Sequence, residues 1–517
     1  MKRKGFSKLL CGVFAPLLMV LLIVLIFSVP VSATVNSSNI GYTLYTSATS
    51  DDVWENEATI TTNAQPGMVA DGAGSVAHNN ANVVTTGDGA FGMYALNTGT
   101  VLNHAGGLVR TNGEGSHGMV ADGTGSTATN EFGAEVRTTG PGSFGMLATG
   151  GSVATNLGRV VTTSDDSHGM YAFGGSTIYN TNAGDNRGVV RTEGAGSHGM
   201  VADGSGSTAH VNSSNVVTNG DNSFGMYALN GGLVYNHFGG LVRTNGEGSH
   251  GMVADGTGST ATNEFGAEVR TTGPGSFGML ATGGSVATNL GRVVTTSDDS
   301  HGMYAFGGST IYNTNAGDNR GVVRTEGAGS HGMVADGSGS TAHVNSSNVV
   351  TNGDNSFGMY ALNGGLVYNH FGGLVRTNGT GSHGMVADGA GSRATNEGDA
   401  DVLTTGDGSF GMFATNGSEA ENLGRVVTRG DGSHGMYAFG GSTVNNNGSG
   451  AVRTEGAGSH GMVADGAGSV AHNNANVVTT GDGAFGMYAL NTGTVLNHAG
   501  GLVRTNGEGS HGMVADG

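Results

Sequence analysis

The sequence has little of what builds an ordinary globular domain. A single cysteine, Cys11, in 517 residues excludes an intramolecular disulfide framework. Five prolines beside 101 glycines exclude collagen, which needs glycine at every third position and abundant proline. Charged residues make up 11% of the chain and aromatic residues 6%, with one tryptophan, Trp54. No segment of useful length has a helical period. High glycine with low charge also suits a disordered chain. Regularly spaced apolar runs such as GMVA, GMYA and LVRT argue instead for a folded one.

The one long hydrophobic run lies at the start. Lys2, Arg3, Lys4 and Lys8 precede an apolar stretch from Leu17 to Val29, and Val31-Ser32-Ala33 reads as a small-residue cleavage site. Residues 1–33 are therefore expected to be a signal peptide. The alternative is an uncleaved anchor, because the run approaches the ~20 residues that span a bilayer. Cleavage after Ala33 removes the cysteine and all three lysines, leaving 16 arginines against 39 acidic residues, a net charge of −23. An exported chain this acidic is not expected to bind nucleic acid.

What is abundant is repetition. A Gly-Met mark, preceded by His in ten copies and Phe in seven, recurs 18 times from Met68 to Met513 at spacings of 24 to 30 residues, most often 26. A period in this range signals a repeat architecture. A longer period sits above it: His117–Ser249 recurs as His250–Ser382 with one change, Glu247 to Thr380, and Gly67–Gly123 recurs unchanged as Gly461–Gly517.

Within one unit, three short β-type runs (Met119–Ala121, Ser126–Thr129 and Glu135–Thr139) alternate with Gly/Asn/Asp corners. In the third run one parity holds Val83, Val109, Val136, Val160, Val190, Val216 and Val242, while Glu135, Arg137, Arg159 and Arg191 flank it. That is the alternation of a half-buried strand. The second run places Ala77, Val101, Ala128, Ala154 and Ile178 inward, followed two residues on by Asn79, Asn103, Asn130, Asn156 and Asn180, which predicts a stacked asparagine ladder at a corner. The first run is ambiguous, since both parities carry apolar residues. The expected fold is all-β, a single-stranded parallel β-helix (β-solenoid) with three short strands per coil of about 26 residues. Residues 34–66, with Trp54, are expected to cap it, and residues 67–517 to form the solenoid, the chain ending inside a repeat.

With GMYA, GGS, N-x-G, V-x-T-x-G and S-x-G-M in that order and spacing, residues 67–517 resemble the passenger region of bacterial autotransporter adhesins. The resemblance implies export through the periplasm, display at the cell surface and outer membrane, and adhesion or aggregation rather than catalysis. It departs from that family in lacking the C-terminal β-barrel of alternating ten-residue strands.

Candidate chemistry is weighed against packing. Ten histidines stand in Ser-His-Gly-Met: His117, His168, His198, His250, His301, His331, His383, His434, His460 and His511. A row of stacked imidazoles suits Zn²⁺ or Cu²⁺. Phe91, Phe144, Phe224, Phe277, Phe357, Phe410 and Phe485 hold the same place in other units, so a packing role for a flat ring is expected and no metal site. Corners at Asp88, Asp221 and Asp407 resemble calcium-binding turns but lack the G-G-x-G-x-D series, so ordinary turn chemistry is expected. No catalytic or cofactor-binding residues stand out from the periodic background. The function expected is adhesion or aggregation through multivalent contacts with surface glycans or proteins, with self-association as a further possibility. The alternatives are a structural stalk or coat component and a polysaccharide-active β-helix enzyme.

Overall fold

The computed structural model describes residues 34–41, 43–47, 53–184, 186–317 and 319–517. The expected signal peptide, residues 1–33, lies outside the described residues. The described chain is an all-β parallel β-solenoid of about 18 turns, with three strands per coil and no helix among the described residues. It divides into two units, one ending at Ile178 and one spanning Tyr179–Gly517.

A coil of the second unit shows the plan. Its strands are Met252–Asp255, Thr260–Asn263 and Glu268–Thr271. Each pairs in parallel, in register, with its counterpart one coil on: Met252 faces Met279, Asn263 faces Asn289 and Val269 faces Val293. The first unit has the same plan, with Met119 against Met146, Asn130 against Asn156 and Val136 against Val160. Strands such as Met119–Asp122, Thr127–Asn130 and Glu135–Thr138 agree with the expected runs to within a residue. Residues 34–66 contain short strands at Thr34–Asn36, Leu44–Ser47, Val53–Asn56 and Ile60–Thr62, which pair in parallel with the coil that follows.

The interior is lined by Met and Ala from the first strand, Ala, Val or Ile from the second, and Val from the third, essentially without solvent exposure as far as Met487. The Gly of the mark faces this interior. A Cβ on Gly118 would sit 2.3 Å from Val136 Cγ1 and 2.5 Å from the Gly145 carbonyl oxygen, so no larger residue fits. Corners are closed by rows of buried polar groups rather than by apolar packing. Asparagine Nδ2 donates to the next asparagine's Oδ1 along Asn236, Asn263, Asn289 and Asn313 at 2.8–2.9 Å. Serines before the mark form a second row: the N–H of Ser223 donates to Ser249 Oγ, and Ser249 N–H to Ser276 Oγ. Because buried amides and hydroxyls cost free energy unless paired, each row must continue from coil to coil.

The asparagine row has two interruptions that explain two orphaned atoms. Val211 and Val344 occupy the ladder position in their coils, opposite Asn236 and Asn313 respectively. A valine has no Nδ2 to donate, and the buried Oδ1 atoms of the following asparagines, Asn236 and Asn369, have no protein partner. The two 30-residue intervals between marks carry their extra residues outside the coil, as antiparallel hairpins pairing Asn182 with Arg187 and Asn315 with Arg320.

Candidate functional site

Within each unit the mark histidines form a ladder with the phenylalanines on the outside of the first strand. In the first unit Phe91, His117, Phe144 and His168 lie ring to ring at 4.7–5.3 Å. In the second unit the ladder runs from His198 through Phe224, His250, Phe277, His301, His331, Phe357, His383, Phe410, His434, His460 and Phe485 to His511. The rings cover the other parity of the first strand: Phe277 lies parallel to Tyr304 at 4.9 Å, and Phe410 to Tyr437 at 4.8 Å. This is why both parities of that strand are apolar.

Eight of the ten histidines in the ladder have a fixed tautomer. Nδ1 of His117, His198, His250, His331, His383 and His460 accepts the backbone N–H of the phenylalanine one coil on, at 3.0 Å. Nδ1 of His301 and His434 accepts from His331 and His460 at 3.1 Å. An imidazole whose Nδ1 accepts is neutral and protonated on Nε2. Burial pushes His117, His168, His250, His301 and His383 down to about 4, and His434 to about 3 with help from neighbouring His460. The ladder is thus a packing element whose nitrogen lone pairs are already used. The corner aspartates behave alike: Oδ1 of Asp88, Asp221 and Asp407 accepts the N–H of Glu114, Glu247 and Asp431 at 2.9 Å.

The accessible chemistry lies on the second strand and the corner after it. All eight histidines outside the mark are there, and they occur in pairs on neighbouring coils. A strand histidine directs Nδ1 at Nε2 of a corner histidine: His78 to His104 at 2.6 Å, His210 to His237 at 2.9 Å, His343 to His370 at 2.8 Å and His472 to His498 at 2.9 Å. The corner histidine's Nδ1 meets a glutamate of the next coil in three of the pairs: Glu131 at 2.7 Å, Glu264 at 2.8 Å and Glu397 at 2.9 Å. A carboxylate only accepts, so that Nδ1 carries the proton and Nε2 presents its lone pair to the strand histidine. Burial lowers the strand histidines His210 and His343 to about 4, the partner imidazole adding to the effect and the glutamate opposing it.

Exposed aromatic side chains flank this row. Phe238 and Phe371, which follow His237 and His370, are 65% and 66% exposed, and Phe238 lies 6.0 Å from Phe265. Arg187 and Arg320 of the two hairpins donate to the carbonyls of Gly239 and Gly372 in the same corners. At the preceding corner Phe306 and Phe439 are also exposed. These residues escaped the sequence reading because only the mark histidines were periodic enough to notice. The signal was present: each non-mark histidine is followed or preceded by another at 26 or 27 residues.

A family model for the BigA third pectate lyase-like domain matches residues 29–184, 123–240, 239–373 and 371–517. No curated protein matches the chain in sequence. Among solved structures, a chain of the cryo-EM structure of the Vag8–C1 inhibitor complex is similar with a TM-score of 0.55 and 16% identity, over 88% of this chain and 99% of that one. The structural likeness shows the β-helical fold expected from the sequence.

Proposed function

The chain belongs to the family of the BigA third pectate lyase-like domain, and from that premise we propose that it is an exported autotransporter-type surface protein that binds a partner through multivalent, individually weak contacts. The observation that carries the reading is the repetition of one outer face. The Tyr–His–Phe corner of Tyr235, His237 and Phe238 returns 133 residues on as Tyr368, His370 and Phe371, each with a solvent-exposed phenyl ring. Ring-bearing side chains with little rotamer freedom are effective contact residues, and copies on one scaffold raise avidity without new contact types. A protein partner is the favoured class, because the structural neighbour was determined in complex with C1 inhibitor. No residue of the face is assigned a catalytic role in this reading.

The test is binding of bacteria displaying residues 34–517 to host-matrix proteins, serum proteins and one another. Phe238→Ser with Phe371→Ser is expected to weaken partner binding at least 10-fold while leaving the circular dichroism spectrum unchanged. Undiminished binding would remove this face from the reading. Absence of binding and clumping by the parent protein would favour the stalk, and release of reducing sugar from a polysaccharide panel would favour the enzyme.

A further inference from the structure

The imidazole pairs of the second strand have a geometry that distance alone does not convey. Their ring centroids are 4.9, 5.2, 5.1 and 5.2 Å apart where their bonded nitrogens are 2.6, 2.9, 2.8 and 2.9 Å apart. The excess is about 2.3 Å in every pair, twice the distance from an imidazole centre to its ring nitrogen. The line between the nitrogens therefore passes through both ring centres. With interplanar angles of 5–16°, the two rings lie nearly in one plane, edge to edge, with nitrogen facing nitrogen. The mark ladder differs, because its Nδ1 atoms accept backbone N–H groups and face no second ring nitrogen.

We propose that these imidazole pairs are binding sites for a divalent copper ion, which takes the place of the proton between the facing nitrogens, that proton moving to Nε2 of the strand histidine, and holds the two rings trans to one another. Copper(II) prefers tetragonal N,O coordination, and two in-plane imidazoles on opposite sides of the ion, with water in the remaining positions, meet that preference. At an ordinary metal–nitrogen distance of about 2.0 Å the trans nitrogens stand about 4 Å apart, so each pair opens by just over 1 Å. The corner rings have room to turn: the side chains of His104, His237 and His370 are 25–27% exposed. Zinc fits worse, because its tetrahedral geometry would bend an axis that the fold holds straight. The glutamates do for the corner histidines what carboxylates do at metal centres: by holding Nδ1–H they leave Nε2 as the ligand atom. Among the described residues no group of three or more His, Cys, Asp or Glu converges on a metal position, so each site is a two-nitrogen chelate.

The experiment is titration of the full chain with CuCl₂ in chelator-free buffer, followed by electron paramagnetic resonance and calorimetry. The expected result is a tetragonal Cu²⁺ signal coupled to two equivalent imidazole nitrogens, saturating near one ion per pair. His78→Asn, His210→Asn, His343→Asn and His472→Asn together should reduce uptake to background. His237→Asn with His370→Asn, a milder change, should remove two sites. Glu131→Gln, Glu264→Gln and Glu397→Gln together should weaken binding about 10-fold. His301→Phe with His331→Phe, in the buried ladder, should leave uptake unchanged. Retention of the signal without the strand histidines, loss of it in the ladder variant, or equal competition by Zn²⁺ would overturn the assignment.

Discussion

In the second unit, His301 and His331 place their ring centroids 4.8 Å apart, and His343 and His370 place theirs 5.1 Å apart. The separations are nearly equal and the arrangements are not. The first pair has parallel rings at about the coil spacing of a parallel sheet. Its buried nitrogen accepts a backbone N–H. The second pair lies edge to edge, nitrogen to nitrogen, with a glutamate at its end. One residue type in one fold thus has two roles. In the ladder an imidazole is a flat filler with one acceptor, which is why phenylalanine alternates with it. On the second strand both nitrogens of the corner ring are used, and phenylalanine could not replace it.

Acid should act most strongly on the ladder, whose rings are the more deeply buried. Burial holds His250, His301 and His383 at about 4, against about 6.5 in an unfolded chain. As pH falls, the unfolded chain takes up these protons first. The stability the rings contribute is therefore complete above pH 6.5 and is lost between 6.5 and about 4, up to about 3 kcal/mol for each fully buried ring. A melting series from pH 7 to 4 should show this loss, and His301→Phe with His331→Phe should make the decline shallower. A variant with the parent's slope would place the acid sensitivity outside the ladder.

A smaller effect is expected inside the solenoid. Asn263→Val removes the donor to Asn289 Oδ1 and the acceptor for Asn236 Nδ2. The change should cost about 1–3 kcal/mol, read as faster amide exchange in the coils on either side. The chain already tolerates this substitution at Val211 and Val344, so the fold should survive it.

The smallest effect is expected on the outer row. His237→Ala should change stability at pH 7 by no more than about 1 kcal/mol, because its ring is half-buried and its bonds to His210 and Glu264 are individually modest. It should nonetheless raise the midpoint of His210 from about 4, because the neighbouring imidazole is one of the causes that lower it. A histidine NMR titration measures this directly. An unmoved His210 would mean that burial alone sets its basicity.

Much of the solenoid could be read before the structure was known. Valine parity placed Val136, Val160 and Val242 inside, and the recurring asparagines marked a ladder, because both patterns are local and repeat with the coil. The first strand could not be read: its outer Val and Tyr are covered by rings that belong to the corner before it. The serine row was overlooked although Ser precedes nearly every mark, since a serine in a glycine-rich corner looks like an ordinary turn residue. The half-buried histidine pairs were also overlooked. Their partners are one coil apart and two positions out of register, as His78 lies opposite Leu102 and bonds His104.

The sequence by itself determined the period, the three strands per coil, and the inward valines and asparagines. Those follow from residue alternation and from substitution within the repeat, both of which are properties of the chain order. The tertiary structure alone decided which side of the first strand faces water, where the ladder is interrupted, and that the remaining histidines meet nitrogen to nitrogen. These depend on how a side chain reaches across to the next coil, and that direction is set only when the coils stack.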